Sequence, residues 1–186
     1  MAKRADTLTG GTKDVNPQYI SGAVTMSAAN TATESTVGLP ILRPGQGASQ
    51  TKAQVVEVLK LWAFLPPPGT DVAAANAQFT ATLTVATSSQ GTTVPNLSNP
   101  RVLAQLRQSI TASFTAAGSQ AVGPVGVQCW DFTDGAGHGI LVGTDNLFIQ
   151  FDTDGYSAAA VATYKISYRF KEVALIEYIG MVQSQQ

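Results

Sequence analysis

The chain has 186 residues, the length of one domain with room for a sizeable core. Eleven Lys and Arg stand against twelve Asp and Glu, so only 12% of residues are charged, about half the share in ordinary globular domains. That balance excludes a broad nucleic-acid footprint, a polybasic membrane patch and an acidic tail, and a hydrophobic content of 44% excludes wholesale disorder.

Residues 1–17 are small and polar, carry Gly10-Gly11, and read as a flexible arm that orders against a neighbour; residues 18–186 read as a single domain. Lys3 and Arg4 are followed by Asp6 and a Thr/Gly run instead of an apolar stretch, so no signal peptide is expected. Ile20, Val24 and Met26 share a parity and predict a first strand. After a turn cluster at Asn30–Ser35, the run VGLPIL is limited by Pro40 to an edge or bulged strand, and RPGQGASQ then breaks the chain.

Ala53–Phe64 is the most hydrophobic segment. As a helix it would place Val55, Val58, Leu59 and Trp62 on one stripe, with Glu57 and Lys60 opposite. Its β-branched and aromatic content favours a strand, apolar on both faces and therefore central and covered on both sides. Pro66-Pro67-Pro68-Gly69 ends it under either reading.

Phe79, Ala81, Leu83 and Val85 alternate with three threonines in the cleanest strand pattern of the chain. Leu103, Leu106, Ile110 and Phe114 fall at spacings that predict a short amphipathic helix, with Ser98 or Asn99 as cap and Pro100 in its first turn. VGVQCWDF runs into a turn at Asp134-Gly135. Leu147, Ile149 and Phe151 mark a further strand, and Asp154-Gly155 signals a hairpin turn. Tyr164, Ile166, Tyr168 and Phe170 share one face of the next strand. Beyond Lys171-Glu172 the apolar parity changes to Val173, Leu175, Ile179 and Met181, predicting a tight turn or bulge there. The count is seven to nine strands with one or two short helices. The fold class is all-β, and a single jelly-roll β-sandwich of about eight strands suits the size.

The catalytic inventory is thin. His138, the single histidine, sits in the Gly-rich turn DGAGHGI, and a Cys129/His138 dyad has no orienting third group. Asp152-Thr153-Asp154-Gly155 opens like a calcium loop, but its twelfth position is Thr163 where a bidentate Glu is needed. Asp152, Asp154, Asp131 and Asp134 therefore read as turn carboxylates. Gly135, Gly137 and Gly139 lack the strand-to-helix context of a phosphate loop. No catalytic, cofactor or metal site is expected, and no enzyme activity. Trp62, Trp130, Tyr156, Tyr164 and Tyr168 could line a sugar-binding platform, which leaves a carbohydrate-binding or adhesive sandwich as the alternative, but their alternating context favours the core. The lone Cys129 reads as a small buried residue, an intermolecular disulfide being the other reading.

Two stretches lack any charge, Val72–Pro100 and Gln108–Trp130. Recurrent Thr, Ser, Gln and Asn, with Pro95 and Pro124, argue against membrane spans. Such surface is cheap to desolvate, which makes both stretches the first places to expect subunit contacts.

AQVVEVLKLWAFLPP, placed after an arm of about fifty residues, and TYKISYRFKEVALIEYIGMV at the end resemble the small major capsid protein of sphaerolipovirus-like viruses. These are membrane-containing icosahedral DNA viruses of halophilic archaea or thermophilic bacteria. The resemblance implies a single jelly roll standing vertically in the shell. Copies would pair with one another and with a larger jelly-roll capsid subunit over an internal viral membrane, with the arm running between neighbours and without sequence-specific nucleic-acid binding.

Overall fold

The computed structural model describes residues 16–41, 51–68, 78–111 and 126–185. These form nine strands and one helix: β1 (Gln18–Thr25), β2 (Thr33–Gly38), β3 (Lys52–Phe64), β4 (Gln78–Ala86), β5 (Val102–Thr111), β6 (Val127–Asp131), β7 (Ile140–Val142), β8 (Asn146–Asp154), β9 (Val161–Ala174) and α1 (Leu175–Gln185).

The strands build two antiparallel sheets. The first runs β1-β9-β3-β6, with β7 also on β3; the second runs β2-β8-β4-β5. Apart from β4 to β5, and β6 to β7 along one edge, each successive strand crosses from one sheet to the other. That alternation is the jelly roll expected from the sequence. The inward faces close a single core in which Val56, Leu61, Leu83, Leu106, Ile149, Phe151 and Ile166 are all almost fully buried. Each such side chain contributes about 1.5–3 kcal/mol of transfer free energy.

β3 is a strand, central in its sheet and covered on both faces along its first half, as its two apolar faces require. β2 lies at a sheet edge and stops before Pro40; three residues of the expected turn cluster, Thr33–Ser35, already belong to it. In β1, Ile20, Gly22 and Val24 face inward. Tyr164 lies so close over Gly22 that a Cβ there would meet its ring.

Four local expectations are corrected. The predicted helix over Leu103–Ile110 is strand β5, paired residue by residue with β4; Phe114 lies outside the described residues. Its inward positions are Ala104, Leu106, Gln108 and Ile110, and the polar Gln108 and small Ala104 hid the alternation. The capping signal was real but serves a turn, for Asn99 Oδ1 accepts from the Arg101 amide at 3.0 Å. Asp154-Gly155 is no hairpin turn, because β8 and β9 lie in different sheets. Gly155 takes φ +79° where the chain leaves β8, and a Cβ there would lie 2.6 Å from the Gln78 carbonyl oxygen.

β9 passes through Lys171-Glu172 without a break, and the sheet's irregularity falls opposite, around Leu59 of β3. The parity change records a change of covered face. Residues up to Phe170 point into the sandwich, whereas Val173 points outward against Ala53 and Val55, beneath the helix. Leu175, Ile179 and Met181 are helical rather than strand residues, and Tyr178 and Met181 pack on that outward stripe.

Candidate assembly surface

None of the sequence-level candidates converges on a catalytic site. Cys129 stands opposite Trp62 on β3, whereas the loop bearing His138 meets β3 at Glu57 and Val58. Five residues of strand, about 16 Å, separate the two, so no Cys129/His138 dyad forms. Cys129 is exposed, not buried as expected, because it sits on the outward face of an edge strand.

Asp134 Oδ1 accepts the amides of Ala136 and His138 at 2.9 and 2.8 Å, which holds its carboxyl below the usual range. Asp131 pairs with Lys60 at 2.7 Å and accepts from the Thr133 hydroxyl and amide; the Lys60 contact first, then Thr133, lowers its pKa. Asp152 and Asp154 lie on the outward face of β8, while Thr163 is in the other sheet, so no calcium loop closes. No cluster of metal-ligating residues occurs among the described residues. Tyr156, Tyr164 and Tyr168 belong to the core; Trp130 is half-buried against it, and Trp62 alone of the five faces outward.

The sequence reading missed one buried charge. Glu57 is fully buried on the outer face of the first sheet, where Arg169 Nε donates to its Oε2 and the Gly139 amide to its Oε1 at 3.1 Å. Lys171 Nζ and His138 Nδ1 each lie 3.7 Å from Oε1. Arg169 also donates to the Gly137 carbonyl at 3.1 Å. Burial pushes the Glu57 pKa up, but the hydrogen bonds from Arg169 and Gly139 and the two cations together hold it below its ordinary value. The cluster pins residues 132–139, which protrude between β6 and β7, onto the sheet. The available signal was register: Glu57 pairs with Arg169 across β3 and β9.

The outward faces of the two sheets differ. Over the second, the segment after β4 folds back. Gln150 Nε2 donates to the Gly91 and Thr93 carbonyls at 2.9 and 3.2 Å, and Glu34 accepts from Ser89 and Gln90 at 2.8 Å. β4 itself is buried almost throughout. Within the described part of Val72–Pro100, β4 is therefore interior, while residues 89–100 keep an exposed side that includes Leu97 at 54%. A polar cleft of about 460 Å³ remains, lined by Thr80, Thr82, Gln105, Arg107, Asp152 and Asp154.

Over the first sheet, α1 and the 132–139 loop cover only the half holding Ala53, Val55 and Glu57. Among the described residues nothing covers the other half, which runs in three rows across β1, β9, β3 and β6, with Ser167 alone of the rows buried beneath its neighbours. The first row is Tyr19, Ser167, Lys60 and Asp131; the second is Ser21, Lys165, Trp62 and Cys129; the third is Ala23, Thr163, Phe64 and Val127. Tyr19 is 56% exposed and Val127 65%. Lys165 Nζ sits 4.4 Å from the centre of the Tyr19 ring, which tilts against Trp62. Of Gln108–Trp130, the described end carrying Val127 and Cys129 contributes to this surface.

No family model and none of the curated proteins matches the chain. Solved structures do. The VP1 pentamer of Human Polyomavirus 6 aligns with 88% of this chain and 99% of its own at TM-score 0.52 and 11% identity. Trichodysplasia spinulosa-associated polyomavirus VP1 in complex with 3'-sialyllactose gives 88% and 99% at TM-score 0.54 and 8% identity. Merkel Cell Polyomavirus VP1 in complex with disialyllactose gives 89% and 99% at TM-score 0.55 and 9% identity. The likeness is one of fold. It extends over nearly the whole jelly roll and links the sandwich to that of viral capsid proteins, while the sphaerolipovirus-like group is not among these neighbours.

Proposed function

We propose that the chain is a viral capsid protein whose work is assembly. It associates with copies of itself and with a larger jelly-roll subunit to form capsomers of an icosahedral shell over an internal membrane, and it resides in the virion. The observation that carries this reading is the closed jelly roll with half of one sheet's outer face left uncovered by the described residues and carrying Tyr19, Trp62, Phe64 and Val127. Apolar faces close each sandwich, and low net charge limits repulsion between many packed copies. Residues 1–17 act as an arm lying between neighbours. The sphaerolipovirus-like resemblance of the β3 and β9 segments supports the larger subunit and the membrane.

Co-expression with the products of the adjacent reading frames tests this. Native mass spectrometry should show capsomers containing this chain and a second jelly-roll protein. Failure of every neighbouring product to bind would contradict the paired shell.

A second reading, a carbohydrate-binding sandwich, has one supporting observation. The cleft lined by Thr80, Thr82, Gln105, Arg107 and Asp152 offers hydroxyl, amide and charged groups suited to sugar hydroxyls. A glycan array decides it: saturable binding lost in Arg107→Ala supports a sugar site, and no binding removes it.

A further inference from the structure

We propose that the uncovered half of the first sheet docks against the same face of a second copy of this chain, about a two-fold axis running along the strands between β9 and β3. This rests on the self-association proposed above and names the surface that carries it.

The charges select the partner and the axis. The three rows hold three charged residues: Lys60 and Asp131, paired at 2.7 Å, and Lys165. An axis between β9 and β3 sets β9 opposite the second copy's β3, and β1 opposite its β6, row for row. In the first row the Tyr19 hydroxyl then meets an Asp131 carboxylate, and Lys60 lies over the buried Ser167. In the second, the Lys165 ammonium meets the face of Trp62, a favourable cation–π contact once water is excluded. In the third, Ala23 meets Val127 and Thr163 meets Phe64. No like charges oppose one another. An axis along β9 would set Lys165 against Lys165, and one along β3 would set Lys60 against Lys60, both repulsive. The face is thus self-complementary about the axis between β9 and β3, the arrangement that overlaps all four strands, as an isologous contact requires.

Other occupants fit less well. The first fifteen residues, MAKRADTLTGGTKDV, contain no aromatic side chain and five charged ones, so the arm has little to lay over Tyr19 and Trp62. An exposed surface that gathers Tyr19, Trp62, Phe64 and Val127 is unusual on a protein without a partner.

The register gives a direct test in the full-length chain. Ser21 faces Cys129 of the second copy in the middle row. Within one chain these positions are three strand spacings apart, about 14 Å, whereas packed sheet faces lie about 10 Å apart, beyond a direct disulfide but within reach of a short bismaleimide. Cys129 is the protein's single cysteine. The Ser21→Cys variant is treated with that bismaleimide, each of whose two ring double bonds adds one thiol with no oxidant needed. The expected product is a covalent dimer on a denaturing gel, while wild type gives none.

In parallel, Thr163→Arg should raise the dimer dissociation constant at least tenfold by sedimentation, with circular dichroism and melting midpoint unchanged. Ile176→Arg, on the exposed side of α1, should leave it unaltered. If Ser21→Cys stays uncrosslinked and Thr163→Arg associates normally while particles still form, this face is wrong and self-association stands. If wild type is a strict monomer, both fail. If Thr163→Arg self-associates normally but loses a larger capsid subunit or lipid vesicles, the face belongs to that partner and the proposal is overturned.

Discussion

Arg169 donates its Nε–H to a Glu57 carboxylate from which solvent is entirely excluded, and with its terminal nitrogen it holds the Gly137 carbonyl of the neighbouring loop. One ion pair thus fixes two adjacent strands and the 132–139 loop to one sheet face. Removing one partner of a buried pair strands the other charge, at about 3–5 kcal/mol. Arg169→Met should lower stability by that order in chemical denaturation. The double variant Arg169→Met/Glu57→Met should recover much of the loss. A double variant no more stable than the single would show that the pair is not the unit.

The same carboxylate predicts an acid limb. Its folded pKa is depressed, so its contribution is fully present above the unfolded value near 4.5 and is lost as pH falls through the lower folded value. The denaturation midpoint of wild type should therefore drop below about pH 4.5, and that of Glu57→Gln should drop less. Parallel curves would contradict the assignment.

Tyr156 predicts an alkaline limb. Its hydroxyl donates to the Pro66 carbonyl at 2.6 Å, and burial pushes its pKa up to about 12. A raised phenol pKa means stability that is complete below the unfolded value near 10 and lost as pH rises through the folded one. Spectrophotometric titration should find a tyrosine ionising near 12 that disappears in Tyr156→Phe. That variant should cost about 1–2 kcal/mol at neutral pH, since it leaves the Pro66 carbonyl without its donor.

Two loop glycines separate backbone fit from composition. A Cβ at Gly139 would collide with the Val58 carbonyl oxygen, whereas one at Gly135 meets nothing within 4 Å. Gly139→Ala should destabilise by about 1–3 kcal/mol, and Gly135→Ala by no more than ~0.5. Thermal melts of the two variants measure the contrast, and equal effects would contradict the docked loop.

The fold was legible where one sheet face is apolar and the other polar, as in the Phe79–Val85 alternation. It was also legible in β3, whose two apolar faces announced a central position. It was hidden where inward positions are occupied by Ala104 and Gln108, because a period-of-two pattern written in such residues resembles a helical one. It was hidden again at Val173, where the buried face switches from the core to the underside of α1; a parity change looks the same whether made by a bulge or by a new cover. The pairing of Tyr19, Trp62, Lys165 and Asp131 into one surface was beyond sequence reasoning, since these residues lie on four strands joined only by register. The shortage of charge was a true signal, but β4 shows that an uncharged stretch can equally be interior.

Sedimentation velocity on the full-length protein at high concentration, with negative-stain microscopy of the same sample, tests the assembly account most directly. The account predicts discrete oligomers that grow into sheets or shells, alone or on addition of the larger jelly-roll subunit. A strict monomer under both conditions would contradict it.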